Sequence, residues 1–227
     1  MDEHSIVFNI SAWVIPVILA VTLHEASHGF VALRFGDDTA LRAGRISFNP
    51  IRHIDLVGTI LIPLVLLIGS NGTMAFGYAK PVPVDFGRLR PLRPGIVAVA
   101  AAGPGSNLVL AAVSAILFNA LPIVPEWARE WVIQLLVVSI LINLILCFFN
   151  LIPLPPLDGG RIAVAVLPAN LANRLARFER SGIVIILIAL FVLPLAGDSL
   201  GVDLNLFHWL IGQPAQDTMR WLLRVFT

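Results

Sequence analysis

A mostly apolar run without a charged residue covers positions 6–23 and, after the polar cluster His24-Glu25-Ala26-Ser27-His28, apolar residues continue to Leu33. At 1.5 Å per residue such a stretch crosses the ~30 Å hydrocarbon core of a bilayer. The pattern therefore predicts a membrane helix over 6–33, with Pro16 as a mild kink. Residues 35–55 are polar and turn-rich. Residues 56–69 are apolar but few for a full crossing, and 71–83 carry the Gly, aromatic and Pro content of turns or short strands. Longer apolar runs predict further crossings at 95–121 and 131–152, the first rich in Ala and Gly, which permit close helix packing. Residues 183–196 predict another. The last segment, 204–226, contains Gly212, Gln213 and Pro214 and reads either as one kinked helix or as two short interfacial ones.

Composition sharpens this picture. With 58% hydrophobic and 13% charged residues in 227, the chain is expected to be an all-α polytopic membrane protein rather than a soluble domain. It reads as a single integral membrane domain over 1–227, with a three-helix core within 6–168 and C-terminal helices over 181–226. The net charge of +1 gives no indication of a nucleic-acid partner. Cys147 has no second cysteine to pair with, and the acidic N-terminus lacks the basic start of a secretory signal, so the first helix is expected to be retained.

Charge suggests an orientation. If the first helix runs toward the cytoplasm and 56–80 dips in and returns to the same side, every Lys and Arg except Arg129 falls in the cytoplasm. A full crossing at 56–69 would place Lys80, Arg88, Arg90 and Arg93 outside. A re-entrant or short β element on the cytoplasmic side is therefore expected. Backbone of that kind is tolerated at membrane depth only when buried in protein or lining water, so it should wrap a functional site.

The polar cluster in the first helix is the candidate chemistry. His24 and His28 lie one turn apart on one face, where both imidazoles can reach one Zn²⁺, and Glu25 stands beside them to handle protons. An uncompensated ionised group in a membrane helix costs at least ~3 kcal/mol, so three ionisable residues in one turn need a purpose. A catalytic zinc usually takes three protein ligands and one open position. Asp158, between Pro155-Pro156 and Gly159-Gly160, reads equally as the third ligand or as the N-cap of a following helix.

Taken together, His24-Glu25-x-x-His28, Gly103-Pro104-Gly105-Ser106-Asn107 and the run from Asn150 to Asp158-Gly159-Gly160-Arg161 resemble the site-2 protease family of intramembrane zinc metalloproteases. The similarity covers roughly residues 10–168. Phe48-Asn49-Pro50-x-x-His53-x-Asp55 and Phe76-Gly77-Tyr78-Ala79-Lys80-Pro81-Val82-Pro83 resemble its compact, mostly prokaryotic branch, without PDZ or CBS domains.

The resemblance implies one Zn²⁺ held by His24, His28 and Asp158, with Glu25 as general base acting on a zinc-activated water. It implies Asn150 as a catalytic polar group contacting substrate or transition state; a helix C-cap before Pro153 is the plain alternative. His53 reads as part of a loop network with Arg52 and Asp55, or as a partner of a zinc-binding histidine. Asn107 reads as helix-packing glue or as a substrate contact. The expected partners are transmembrane-helix substrates in a lipid bilayer, with an adaptor or a second copy left open. The expected location is a bacterial plasma membrane, with the site nearer the cytoplasmic face. A catalytically silent metal-binding scaffold or chaperone of the same fold is the alternative function, and a metal transporter a weaker one.

Overall fold

The computed structural model describes residues 3–62, 65, 68 and 79–227. Helix α1 spans Glu3–Arg34, with the Pro16 ring buried inside it. A single turn, α2 (Thr39–Arg42), follows the Gly36-Asp37-Asp38 corner. Beyond a loop, α3 covers Leu92–Leu117 and continues as a tighter helix to Ile123; α4 covers Glu126–Asn150. Among the described residues three single helical segments are long and apolar enough to cross a membrane: Ile10–Arg34, Leu92–Ile123 and Glu126–Asn150. They lie within a few residues of the spans predicted at 6–33, 95–121 and 131–152.

These helices pack against one another around small side chains. Ala111 and Ala115 of α3 meet Ile140 and Leu144 of α4, and all four are shielded from solvent. Without a hydrophobic drive between helices inside lipid, such close packing and interhelical hydrogen bonds hold the bundle. Ser114 and Ser139 share a 2.7 Å bond between α3 and α4.

After α4 the chain doubles back into α5 (Asp158–Val166) and α6 (Ala169–Ala176). The region expected to cross at 183–196 forms α7 (Gly182–Leu187), a wide turn at Ile188–Val192 and α8 (Leu193–Leu200). It meets the preceding helical stretch at 75°. The C-terminal segment is α9 (Gln213–Phe226), preceded by a wide turn at His208–Gly212. Pro214 has no N–H to continue an α-helical ladder, a sufficient cause for that wide turn. Ala215 and Leu222 of α9 close the α3–α4 core.

The loop elements bear on the site. Asp55 accepts the Val57 and Gly58 amides at 3.0 and 2.8 Å, capping the turns Leu56–Leu61. Among the described residues no strand forms, and 44–48 is a series of turns. The Phe76-Gly77-Tyr78 part of the family-like motif lies outside the described residues.

Residues 79–90 form a strap across the bundle, and it is fastened at several points. Asp37, wholly buried, accepts the Thr39 amide at 3.0 Å, the Thr39 hydroxyl at 2.5 Å and the Asp85 amide of the strap at 2.8 Å. Arg90 N donates to the Phe35 carbonyl at 2.8 Å, and Leu89 is buried against Ala32 and Val99. Burial opposes ionisation of Asp37, but the Thr39 and Asp85 donors, with Arg88 beyond them, outweigh it and hold the carboxyl below its ordinary value.

A depressed folded-state pKa means that the contribution to stability is present above the unfolded value of about 4 and is lost as pH falls through the folded value. Asp37→Asn is therefore expected to cost about 1–3 kcal/mol at neutral pH and almost nothing in strong acid. Thermal melts of wild type and variant in detergent at pH 7 and at pH 3 should lie closer together at the lower pH. Curves that stay equally separated would show that ionisation is not what fastens the strap.

Candidate metal centre

His24 and His28 sit on the inward face of α1, both buried. Their outer ring nitrogens are committed. His28 Nδ1 lies 2.7 Å from the Val99 carbonyl oxygen, which can only accept, so Nδ1 carries the proton. His24 Nδ1 lies 2.6 Å from Asn107 Oδ1. Asn107 Nδ2 donates to Asn143 Oδ1 at 2.8 Å and to the Ala20 carbonyl at 3.3 Å, which fixes its amide orientation, so its oxygen must accept from His24. Both imidazoles thus present a bare Nε2 lone pair to the centre.

Asp158 faces those lone pairs. It is the first residue of α5, whose N-cap is Leu157, so it does not hold the cap position itself. Gly159 and Gly160 let the chain fold back tightly: a Cβ on either would stand 2.2 Å from backbone atoms of Leu151 or Pro155. Asp158 Oδ2 lies 3.3 Å from His24 Nε2 and 3.4 Å from His28 Nε2. It is buried and has no hydrogen-bond donor among the described residues.

Three electron-rich atoms within 4.8 Å of one another, with no proton assigned between them, call for a cation. Ligands ~2.0–2.1 Å from a tetrahedral zinc stand about 3.3–3.4 Å apart, which matches both oxygen–nitrogen separations. Room for the ion comes from Gly103 on α3, where a Cβ would lie 2.5 Å from the Nε2 atoms of both histidines. The residues fit a zinc ion.

A cavity of about 180 Å³ opens on this centre and is also lined by Glu25, Val82, Phe86, Asn150 and Arg161. Glu25 is half-buried, and its Oε2 accepts the Val82 amide of the strap at 2.8 Å. Arg161 lies over the Phe86 ring at 4.9 Å, tying the strap to α5 as well. Asn150, at the end of α4, donates back to the Leu146 carbonyl at 3.0 Å. Cys147 is buried in α4 and does not line the cavity.

The two remaining candidates sit differently. Asn107 holds His24 from behind and does not line the cavity. His53 is buried in the first loop, with Nε2 donating to the Ser47 carbonyl at 2.9 Å, and does not line the cavity. The partners of the two site histidines are Asn107 and Val99, as given above. Sequence reasoning missed Val99 and Val82, which act through backbone groups that any residue carries. A buried Asn in an Ala- and Gly-rich membrane helix was a signal that could have singled out Asn107 as a histidine partner.

The putative zinc metalloprotease YwhC of Bacillus subtilis is 39% identical over 199 residues, covering 85% of each chain. The chain belongs to peptidase family M50. The model of that family matches residues 121–194, the part that contains Asn150 and Asp158. The putative zinc metalloprotease Rip2 of Mycobacterium tuberculosis H37Rv is 29% identical over 205 residues, 88% of this chain and 73% of that one. Rip2 of Mycolicibacterium smegmatis is 28% identical over 176 residues, covering 76% of this chain and 64% of the relative. No solved structure matches the chain. As a member of the M50 family with three candidate spans, it is a membrane protein.

Proposed function

We propose that the protein is an intramembrane zinc endopeptidase that hydrolyses a peptide bond in or next to a transmembrane helix of another protein. The observation that carries this reading is the convergence of two bare imidazole nitrogens and an undonated carboxylate oxygen beside Glu25, with both histidines inside the candidate span Ile10–Arg34. When bound, zinc supplies a Lewis acid that acidifies water and polarises a carbonyl. His24, His28 and Asp158 are the residues that would hold one ion.

Glu25 Oε2 is engaged by the Val82 amide, which leaves Oε1 to accept a proton from water and deliver it to the leaving amine nitrogen. Asn150 spends one amide hydrogen on Leu146 and retains a second for the oxyanion that develops at the cleaved carbonyl, a contact worth ~3 kcal/mol where measured. Asn107 and Val99 keep both histidines in the tautomer a metal requires.

The membrane geometry extends the reading. The Lys80 amide donates to the His53 carbonyl at 2.9 Å, so the two ends of the intervening segment are held together. That supports a re-entrant element that enters and leaves by one face, with the strap beyond it offering backbone to an extended substrate. The distribution of Lys and Arg supports a cytoplasmic placement of this end. The bacterial relatives support a plasma membrane as its home. A substrate helix must unwind to reach the site, because its carbonyls are tied up along its axis.

The test uses detergent-purified protein and a panel of transmembrane peptides. Dialysis against a chelator is expected to abolish cleavage, and stoichiometric zinc to restore it without refolding. Zinc bound in full with no peptide cut would favour a silent scaffold or chaperone instead.

A further inference from the structure

A second concave surface lies at the end of α1, outside the metal centre. It is a cleft of about 530 Å³ lined by Arg42, Arg45, Arg52 and Lys80 with Ile51 and Ile54, and no carboxylate lines it. Arg42 is neutralised, its guanidinium contacting Asp38 Oδ2 at 2.6 and 2.7 Å. Arg45, Arg52 and Lys80 have no carboxylate partner among the described residues. The two arginines are locked side by side through backbone: Arg45 Nη1 donates to the Arg52 carbonyl, and Arg52 Nη1 donates to the Gly44 carbonyl at 2.6 Å. Each guanidinium has five N–H donors, so most remain to be offered to a ligand. Two fixed like charges with a third beside them repel one another until an anion sits between them.

The surroundings say which anion. Phe48, Ile51 and Leu56 around this end are 77%, 74% and 74% exposed. Large apolar side chains beside uncompensated cations, next to the last turn of a membrane helix, match the boundary between acyl chains and headgroup phosphates. A soluble phosphate would satisfy the cations but leave the apolar rim in water.

We infer that this cleft binds the phosphate of an anionic phospholipid, with Arg45, Arg52 and Lys80 gripping the headgroup and Phe48, Ile51 and Leu56 in the acyl boundary. Occupation also bears on the neighbouring chemistry. Lys80 stands two residues before Val82, whose amide holds Glu25, so a headgroup bound there steadies the strap from its other side.

Direct binding tests the site independently of any peptidase activity. Full-length protein in detergent is titrated with phosphatidylglycerol and, separately, phosphatidylcholine, and retained lipid is counted by native mass spectrometry. Wild type is expected to retain phosphatidylglycerol in preference, and Arg45→Gln/Arg52→Gln to weaken that retention about 30-fold. Arg174→Gln/Arg177→Gln removes the same charge from α6 and its continuation and is expected to change nothing. Lys80→Gln, whose side chain makes no hydrogen bond or ion pair among the described residues, gives the same direction of effect if the double variant misfolds.

Equal retention of phosphatidylglycerol by wild type, the double variant and Lys80→Gln would overturn the assignment. An equal loss in the α6 control would also overturn it, by reducing the effect to net charge. Displacement of the lipid by millimolar inorganic phosphate would reassign the cleft to a soluble anion.

Discussion

Replacing Glu25 with Gln is expected to leave zinc bound and to lower peptide hydrolysis by about 10²–10⁴-fold, the usual contribution of a positioned general base. The two carboxamide atoms occupy nearly the same space as the two oxygens, so the Val82 amide can still donate to Gln Oε1. The His24, His28 and Asp158 triad is untouched, because Glu25 does not belong to it. What disappears is the site that accepts a proton. Metal content by elemental analysis and turnover of a transmembrane peptide, on the same preparation, decide the matter. Undiminished cleavage would remove Glu25 from the chemistry, and loss of zinc would show it to be part of the metal cage.

Gly103→Ala is expected to fail in the opposite manner, losing the metal first and activity with it. The added methyl would stand 2.5 Å from the Nε2 atoms of His24 and His28, closer than any ordinary contact. Neither imidazole can retreat easily, since Asn107 and Val99 hold their far sides. The helix itself should tolerate alanine, a better helix former than glycine by about 1 kcal/mol. Circular dichroism should therefore match wild type while zinc content falls close to zero and cleavage becomes undetectable. A fully loaded, active Gly103→Ala protein would show that the histidines in solution do not converge as described. Together the two variants separate the cage from the base.

Much of this arrangement was legible in the residues. The three long spans follow from apolar runs that lipid leaves few ways to fold, and His24, Glu25 and His28 announce themselves because ionisable groups at membrane depth are costly. Asp158 was ambiguous locally, being as good a helix cap as a ligand, and only the fold-back at Gly159 and Gly160 aims it at the histidines. The contacts that orient the centre were not legible. Val99 acts through a carbonyl and Val82 through an amide, and these carry no side-chain signature. Asp37 was one acid among several in a polar loop, and its burial depends on the strap that covers it. The break at 188–192 was likewise invisible, since hydropathy reports apolar length and not helical pitch.

The way His24 and His28 are fixed has a bearing on how the protein is made. Their orientation comes from Asn107 and Val99, partners supplied by the docking of α1 and α3 and not by the ion itself. Biogenesis can then run in two separate stages, insertion and packing first and metal loading afterwards. Chain made during zinc starvation would be stored as intact, idle protein, ready to switch on when the ion returns, with no new synthesis required.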